Sequence, residues 1–223
     1  MPEPSGLYYP NRFARLFLLA MEDVMGQQGL ATILSMAGLD TYIDTPPPDN
    51  LARQFDFAYM AALSQALEDM YGTRGGRGIA LRIGRATFSQ GFKSFGMLAG
   101  MAHPAYAALP LEQRTDLGVR AMAAVFTRFS DQTTTVSDGG DAYLFTVENS
   151  PMAWGRTSER PVCHALAGII QEGMRWASRS YEYHVQEIAC RAAGADACTF
   201  KVSKNPIGGV DRSARAAAIT SES

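Results

Sequence analysis

The strongest constraint on this chain is a change of hydrophobic period near Ser130. Upstream, Phe13, Leu16, Leu19, Ala20 and Val24 recur in "RFARLFLLAMEDVMG", and Phe55, Tyr59, Leu63, Leu67 and Met70 recur further on; that spacing puts each set on one face of a helix. Downstream, "QTTTVSD" and "DAYLFTVEN" are rich in Thr, Tyr and Val and are separated by two glycines, the pattern of a hairpin. A helix is expected from about Pro161 to Ala177, and two further strands, "YEYHVQEI" and "ACTFKVSK", flank the turn "RAAGAD". The expected fold is therefore α+β (α/β mixed). N-terminal helices cover the apolar face of a C-terminal four-stranded antiparallel sheet that carries a β-β-α-β-β unit.

Within the helical half, Asn11 is placed to cap the first helix, which Gly26 and Gly29 interrupt. "TPPPDN", Thr45 to Asn50, must be a loop. Asp49 or Asn50 then opens a long helix to about Tyr71, and Gly78 to about Gly100 reads as mostly helical. Pro110 begins a helix over Leu111 to Phe129. Residues 207–223 are small and polar, the composition of a flexible tail.

Several function classes drop out. A net charge of −2 without a local basic cluster gives no footprint for direct nucleic-acid binding. No apolar run approaches the roughly 18 residues needed for a membrane span. The N-terminal stretch lacks the order of a secretory signal, and three cysteines cannot form a complete disulfide framework, so a cytoplasmic setting is expected. The glycines of "YGTRGGRGIALRIGRATF" form no dinucleotide or phosphate-loop fingerprint, and Arg77, Arg82 and Arg85 read as solvated helix surface. Neither a GxSxG elbow nor a convincing histidine triad is present.

The cysteines repay closer reading. Two residues separate Glu187 from Cys190, a seven-residue loop joins Cys190 to Cys198, and Cys163 follows Pro161 at a helix start, where unpaired backbone N–H groups favour a thiolate. Three thiolates and a carboxylate can make a closed tetrahedral zinc shell. The competing reading is three small buried hydrophobes beside a surface charge. Because residues three apart on a regular strand face opposite ways, Glu187 and Cys190 can share an ion only if the strand bulges near Ile188 and Ala189. His164 and His184 lie close enough in sequence to replace Glu187 as fourth ligand, and His103 is placed to shape a helix end before Pro104.

At this point "RPVCHALAGIIQEGMRWASRSYEYHVQEIACRAAGADACTF" resembles the vinyl-4-reductase domain, through Pro161, Cys163, Gly168, Gly173, Glu187, Cys190, Gly194, Cys198 and Phe200 in order. The resemblance extends less sharply from Arg77 to Val202. It implies helices packed on an antiparallel sheet, a fold related to core subunits of the vesicle-tethering transport particle and, more distantly, to haem nitric-oxide sensor domains. It also implies a structural zinc ion held by Cys163, Glu187, Cys190 and Cys198, as in the sensor modules of phenol- and xylene-responsive activators. Another member serves bacteriochlorophyll biosynthesis and was historically called a 4-vinyl reductase. The domain organisation expected on this basis is a single domain over residues 1–206, with a helical part at 1–75 and the family core at 77–202.

A ligand pocket is expected between helices and sheet, close to the metal, lined by Phe145, Met152, Trp154, Met174, Trp176, Tyr181, Tyr183, Val185 and Phe200. The functional expectation is non-catalytic binding or sensing of a small hydrophobic ligand, aromatic or tetrapyrrole-like. Two alternatives stand beside it. One is a reductase or accessory protein acting on the vinyl group of a chlorophyll precursor, which would need a hydride source that the chain does not carry. The other is an interaction scaffold like the transport-particle subunits. The Leu-, Met- and Phe-rich N-terminal helices are expected to support a homodimer.

Overall fold

Tertiary pairing begins at the N-terminus. In the computed structural model, which describes residues 1–92, 95, 101 and 103–208, β1 (Tyr8–Pro10) pairs antiparallel with β2 (Arg53–Asp56). The helix α1 (Asn11–Met36) follows β1 directly, and the short α2 (Thr41–Asp44) lies between α1 and β2. Asn11 does not cap α1. Its side chain instead donates to the Asn50 and Gln54 side chains, at 3.0 and 2.8 Å. The expected interruption of α1 is present at Gly26, whose φ of 76° breaks the helical run.

The long helix expected from Asp49 or Asn50 starts only at Phe57. Residues 53–56 are drawn into the two-stranded sheet, and Asp56 takes over as the cap, accepting from the Ala58 N–H at 2.8 Å. This helix, α3 (Phe57–Thr87), kinks at Gly72 and runs into a π-helical turn, Phe88–Phe92. The rest of the segment expected to be helical to Gly100 lies largely outside the described residues, as does the tail beyond Gly208. His103 caps α4 (Pro104–Ala108) through Nδ1, and Pro110 precedes α5 (Leu111–Phe129).

The second half follows the alternation read from the sequence. The strands are β3 (Thr134–Asp138), β4 (Ala142–Val147), β5 (Tyr183–Ala189) and β6 (Cys198–Pro206), with α6 (His164–Ser178) between the two hairpins. The sheet order is β3-β4-β6-β5, antiparallel throughout. Tyr143, Phe145 and Val147 of β4 and Cys198, Phe200 and Val202 of β6 point inward and are buried. One hydrophobic core runs from Tyr9 and Phe13 through α3, α5 and α6 to these strands.

The crossing of α3 and α6 sets the position of everything attached to α6. It is made by two glycines. A Cβ on Gly84 would fall 1.9 Å from the Ala165 carbonyl oxygen, and one on Gly168 would fall 2.2 Å from that of Leu81. The helices therefore touch backbone to backbone, a distance that any side chain at either place would forbid.

Candidate metal centre

Cys163 closes the loop that leads into α6. It is the residue just before the helix, not part of its first turn as the sequence indicated, so its side chain projects past the helix start towards the β5–β6 turn. The β5 register then decides where Glu187 and Cys190 go. Val185 and Glu187 stand opposite Val202 and Phe200, on the inward face. Between Glu187 and Ala189 the register shifts, and Ala189 pairs with Thr199. This is the bulge that a shared site requires: one extra residue reverses the alternation, so Cys190, three places after Glu187, returns to the inner side with Cys198. The turn closes through a 3-10 segment, Arg191–Ala193, and Gly194 at φ 91°.

The result is a compact cluster. One ligand atom from each of Cys163, Glu187, Cys190 and Cys198 lies within 4.8 Å of every other, near enough for the four to share a metal ion. Cys163 Sγ is 3.6 Å from Cys198 Sγ, and Cys198 Sγ is 3.9 Å from Cys190 Sγ. These are not bonded sulphurs, and all three cysteines are free. Glu187 is only 9% exposed. Its Oε2 accepts from the Cys163 N–H at 2.8 Å, but its Oε1 is buried with no hydrogen-bond partner. A buried, orphaned carboxylate oxygen among three thiols is the arrangement a cation would satisfy.

The electrostatics agree. Burial pushes the Cys163 thiol well above its ordinary value, and burial together with the charge of Cys190 pushes Glu187 up to about 8. Without a positive charge, the cluster must hold protons to remain folded around itself. Burial, and then the Arg77 guanidinium, hold His164 below its usual value. Neither His164 nor His184 belongs to the cluster.

Sequence reasoning missed two supporting groups. Ser150 Oγ lies 3.1 Å from Cys163 Sγ and is buried, and the Arg191 N–H donates to Cys198 Sγ at 3.3 Å. Such contacts fix the orientation of sulphur ligands. Ser150 sits in a loop 13 residues before its partner, and no spacing rule announces it.

The residues expected to form one pocket occupy several settings. Phe145, Met152, Met174, Tyr183 and Phe200 are buried in the core, with the Phe145 and Phe200 rings packed edge to face at 6.4 Å. Tyr181 is half exposed just outside β5. Trp154 borders an open surface concavity with Ala58, Ala61 and Arg156. Val185 borders a groove beside Glu187. Trp176 lines a narrow apolar cavity between α5, α6 and the end of α3, with Phe88, Gly118, Met122, Val125 and Gly173; its ring lies 6.0 Å from that of Phe88. Arg77 is not remote surface, because it lines the same groove as Val185 and Glu187. Arg85 pairs with Glu172 and Glu182, while Arg82 is exposed.

An α+β fold with a four-cornered thiol and carboxylate cluster defines the class, and comparison places it among known folds. H-NOX structures share the architecture. The Fe(II) unliganded H-NOX protein from K. algicida matches with a TM-score of 0.54 at 17% identity, over 91% of this chain and 100% of that one. A Cs H-NOX mutant matches at 0.55 and 17%, over 89% and 98%. An oxygen-binding H-NOX domain related to soluble guanylate cyclases matches at 0.50 and 17%, over 88% and 95%. At such identities the likeness is one of fold. No curated protein matches the chain. Residues 144–204 match the vinyl-4-reductase domain family, so this part of the chain is a vinyl-4-reductase domain. The match spans β4 to β6 and contains all four cluster residues.

Proposed function

We propose that this protein is a non-catalytic ligand-binding or sensing module, with a structural zinc ion at one end of α6 and a hydrophobic ligand site towards the other. The observation that carries it is the pairing of these features on one helix: Cys163 immediately precedes α6, and Trp176 lines an apolar cavity near its end. For the metal, four donors about 2.3 Å from a tetrahedral ion stand about 3.8 Å apart. The sulphur separations of 3.6 and 3.9 Å bracket that spacing. Three thiolates favour zinc over magnesium or calcium. Zinc would join the start of α6 to both sides of the β5–β6 turn and supply the positive charge that lets the buried ligands ionise.

For the ligand, Trp176, Phe88, Met122 and Val125 offer an aromatic and polarisable lining, while Gly118 and Gly173 leave room between the helices. A small aromatic molecule fits this chemistry, and a tetrapyrrole-like one would require α5 and α6 to part. The family match and the H-NOX-like fold are consistent with a ligand-binding role. Metal analysis of protein purified without added metal is expected to give one zinc per chain. Titration with phenols and chlorophyll precursors is expected to show binding that weakens in Trp176→Ala. Binding unaffected by that change removes the Trp176 cavity from the reading, and a reduced product would make the protein an enzyme.

A further inference from the structure

A groove of about 360 Å³ runs along the outer side of the metal cluster, between α3, the start of α6 and β5. Arg74 and Arg77 of α3 and Arg160, just before α6, line it above an apolar floor that includes Leu81, Ala167 and Val185. An accounting of guanidinium groups sets these three apart. Arg12, Arg53, Arg85, Arg120, Arg156 and Arg175 are paired with carboxylates. Arg15, Arg114 and Arg191 donate to backbone carbonyls. Among the described residues, Arg74, Arg77 and Arg160 have neither kind of partner. The nearby Glu68 is taken by Arg156. The carboxylate that does line the groove, Glu187, is turned into the cysteine cluster and accepts from the Cys163 N–H.

Three like charges brought together without a counter-ion are unfavourable unless an anion completes them. Guanidinium groups match planar and tetrahedral oxyanions through paired N–H donors, and the N-terminus of α6 adds a favourable dipole. We propose that this groove binds a small organic oxyanion, a carboxylate or phosphate monoester carried on a short apolar body. The arginines hold the oxyanion, and the Leu81, Ala167 and Val185 floor covers the body. The site is separate from the Trp176 cavity and does not depend on that cavity holding a ligand.

Calorimetric titration of the metal-loaded full chain with benzoate, phenyl phosphate, inorganic phosphate and neutral benzyl alcohol tests the proposal. Benzoate and phenyl phosphate are expected to bind, inorganic phosphate more weakly than phenyl phosphate, and benzyl alcohol not at all. The triple variant Arg74→Gln, Arg77→Gln, Arg160→Gln is expected to weaken phenyl phosphate binding at least about tenfold, with metal content unchanged. Trp176→Ala is expected to leave it unchanged. If the triple variant is poorly folded, Arg77→Gln alone should still weaken binding severalfold. Benzyl alcohol binding as well as phenyl phosphate overturns the proposal, and so does affinity that is unchanged in well-folded arginine variants.

Discussion

At its start, α6 meets a corner built of charge-bearing groups at set distances: Cys163, Glu187, Cys190 and Cys198, with Ser150 and the Arg191 N–H behind them. Towards its end it meets Trp176, Phe88 and Met122, soft surfaces around a narrow space. The positions of Cys163 and Trp176 are 13 residues apart, about 20 Å along a helix axis. The first region holds its shape through directional bonds and can be made or broken by one atom. The second owes its shape to packing and can adjust. Function at the two ends should therefore fail in different ways under mutation.

The largest effect is expected at the rigid corner. Cys190→Ser should strip the metal and destabilise the fold by about 5 kcal/mol or more, because binding at a structural metal site is largely folding energy. Elemental analysis and thermal denaturation measure both. A variant that keeps its metal and its melting temperature breaks the comparison.

Next comes the crossing that connects the ends. In Gly168→Val the added carbons must displace the Leu81 backbone, so a loss of about 3 kcal/mol is expected in denaturant unfolding. A melting temperature within a degree of the parent would mean that α3 and α6 do not touch as described.

A smaller effect concerns pH, and it has opposite signs with and without metal. In chelator-treated protein the Glu187 carboxyl sits at about 8 when folded, against 4.5 in its ordinary state. Between those values the folded chain holds more protons than the unfolded one, so stability must fall as pH rises from about 4.5 to about 8. With metal bound the ligands must be deprotonated, so acid releases the ion and stability falls as pH drops. Denaturation midpoints at pH 5 and pH 8, with and without chelator, should cross. Parallel profiles would remove the metal from the account.

At the soft end, Trp176→Ala should weaken a bound aromatic ligand about tenfold while leaving the metal in place. Loss of metal in that variant would show that the two ends are not separable. The smallest structural effect is expected on α1, where Leu19 is 41% exposed in an otherwise apolar stretch. We propose that this face supports a homodimer. Leu19→Glu should then yield monomer by light scattering with little change in melting temperature, and a parent chain that is already monomeric sinks the dimer.

Both helical kinks and all four strands of the larger sheet lie near positions that the sequence marks, because period and glycine position are local properties. Only the kink at Gly26 is expected as an interruption, while that at Gly72 coincides with the expected helix end at Tyr71. The delayed start of α3 was not legible, since Arg53–Asp56 becomes a strand only by pairing with residues more than 40 positions earlier. The metal cluster was legible because metal binding limits the donor types and the sequence carries only three cysteines. Its geometry depended on the bulge after Glu187, which the sequence could state only as a condition.

The ligand surfaces divide differently. Residue types alone established that large apolar and sulphur-containing side chains were available, and they led to nine candidates for one pocket. Tertiary structure decided which of these became core, which faced solvent and which bordered a cavity, because the space between elements is set by distant contacts such as Gly84 on Ala165. It also decided the meaning of Arg77. On a single helix that arginine reads as solvated surface. Only the packing of α3 against α6 and β5 brings it to Arg160 and Glu187, where a charge from each of three distant segments can act on one molecule.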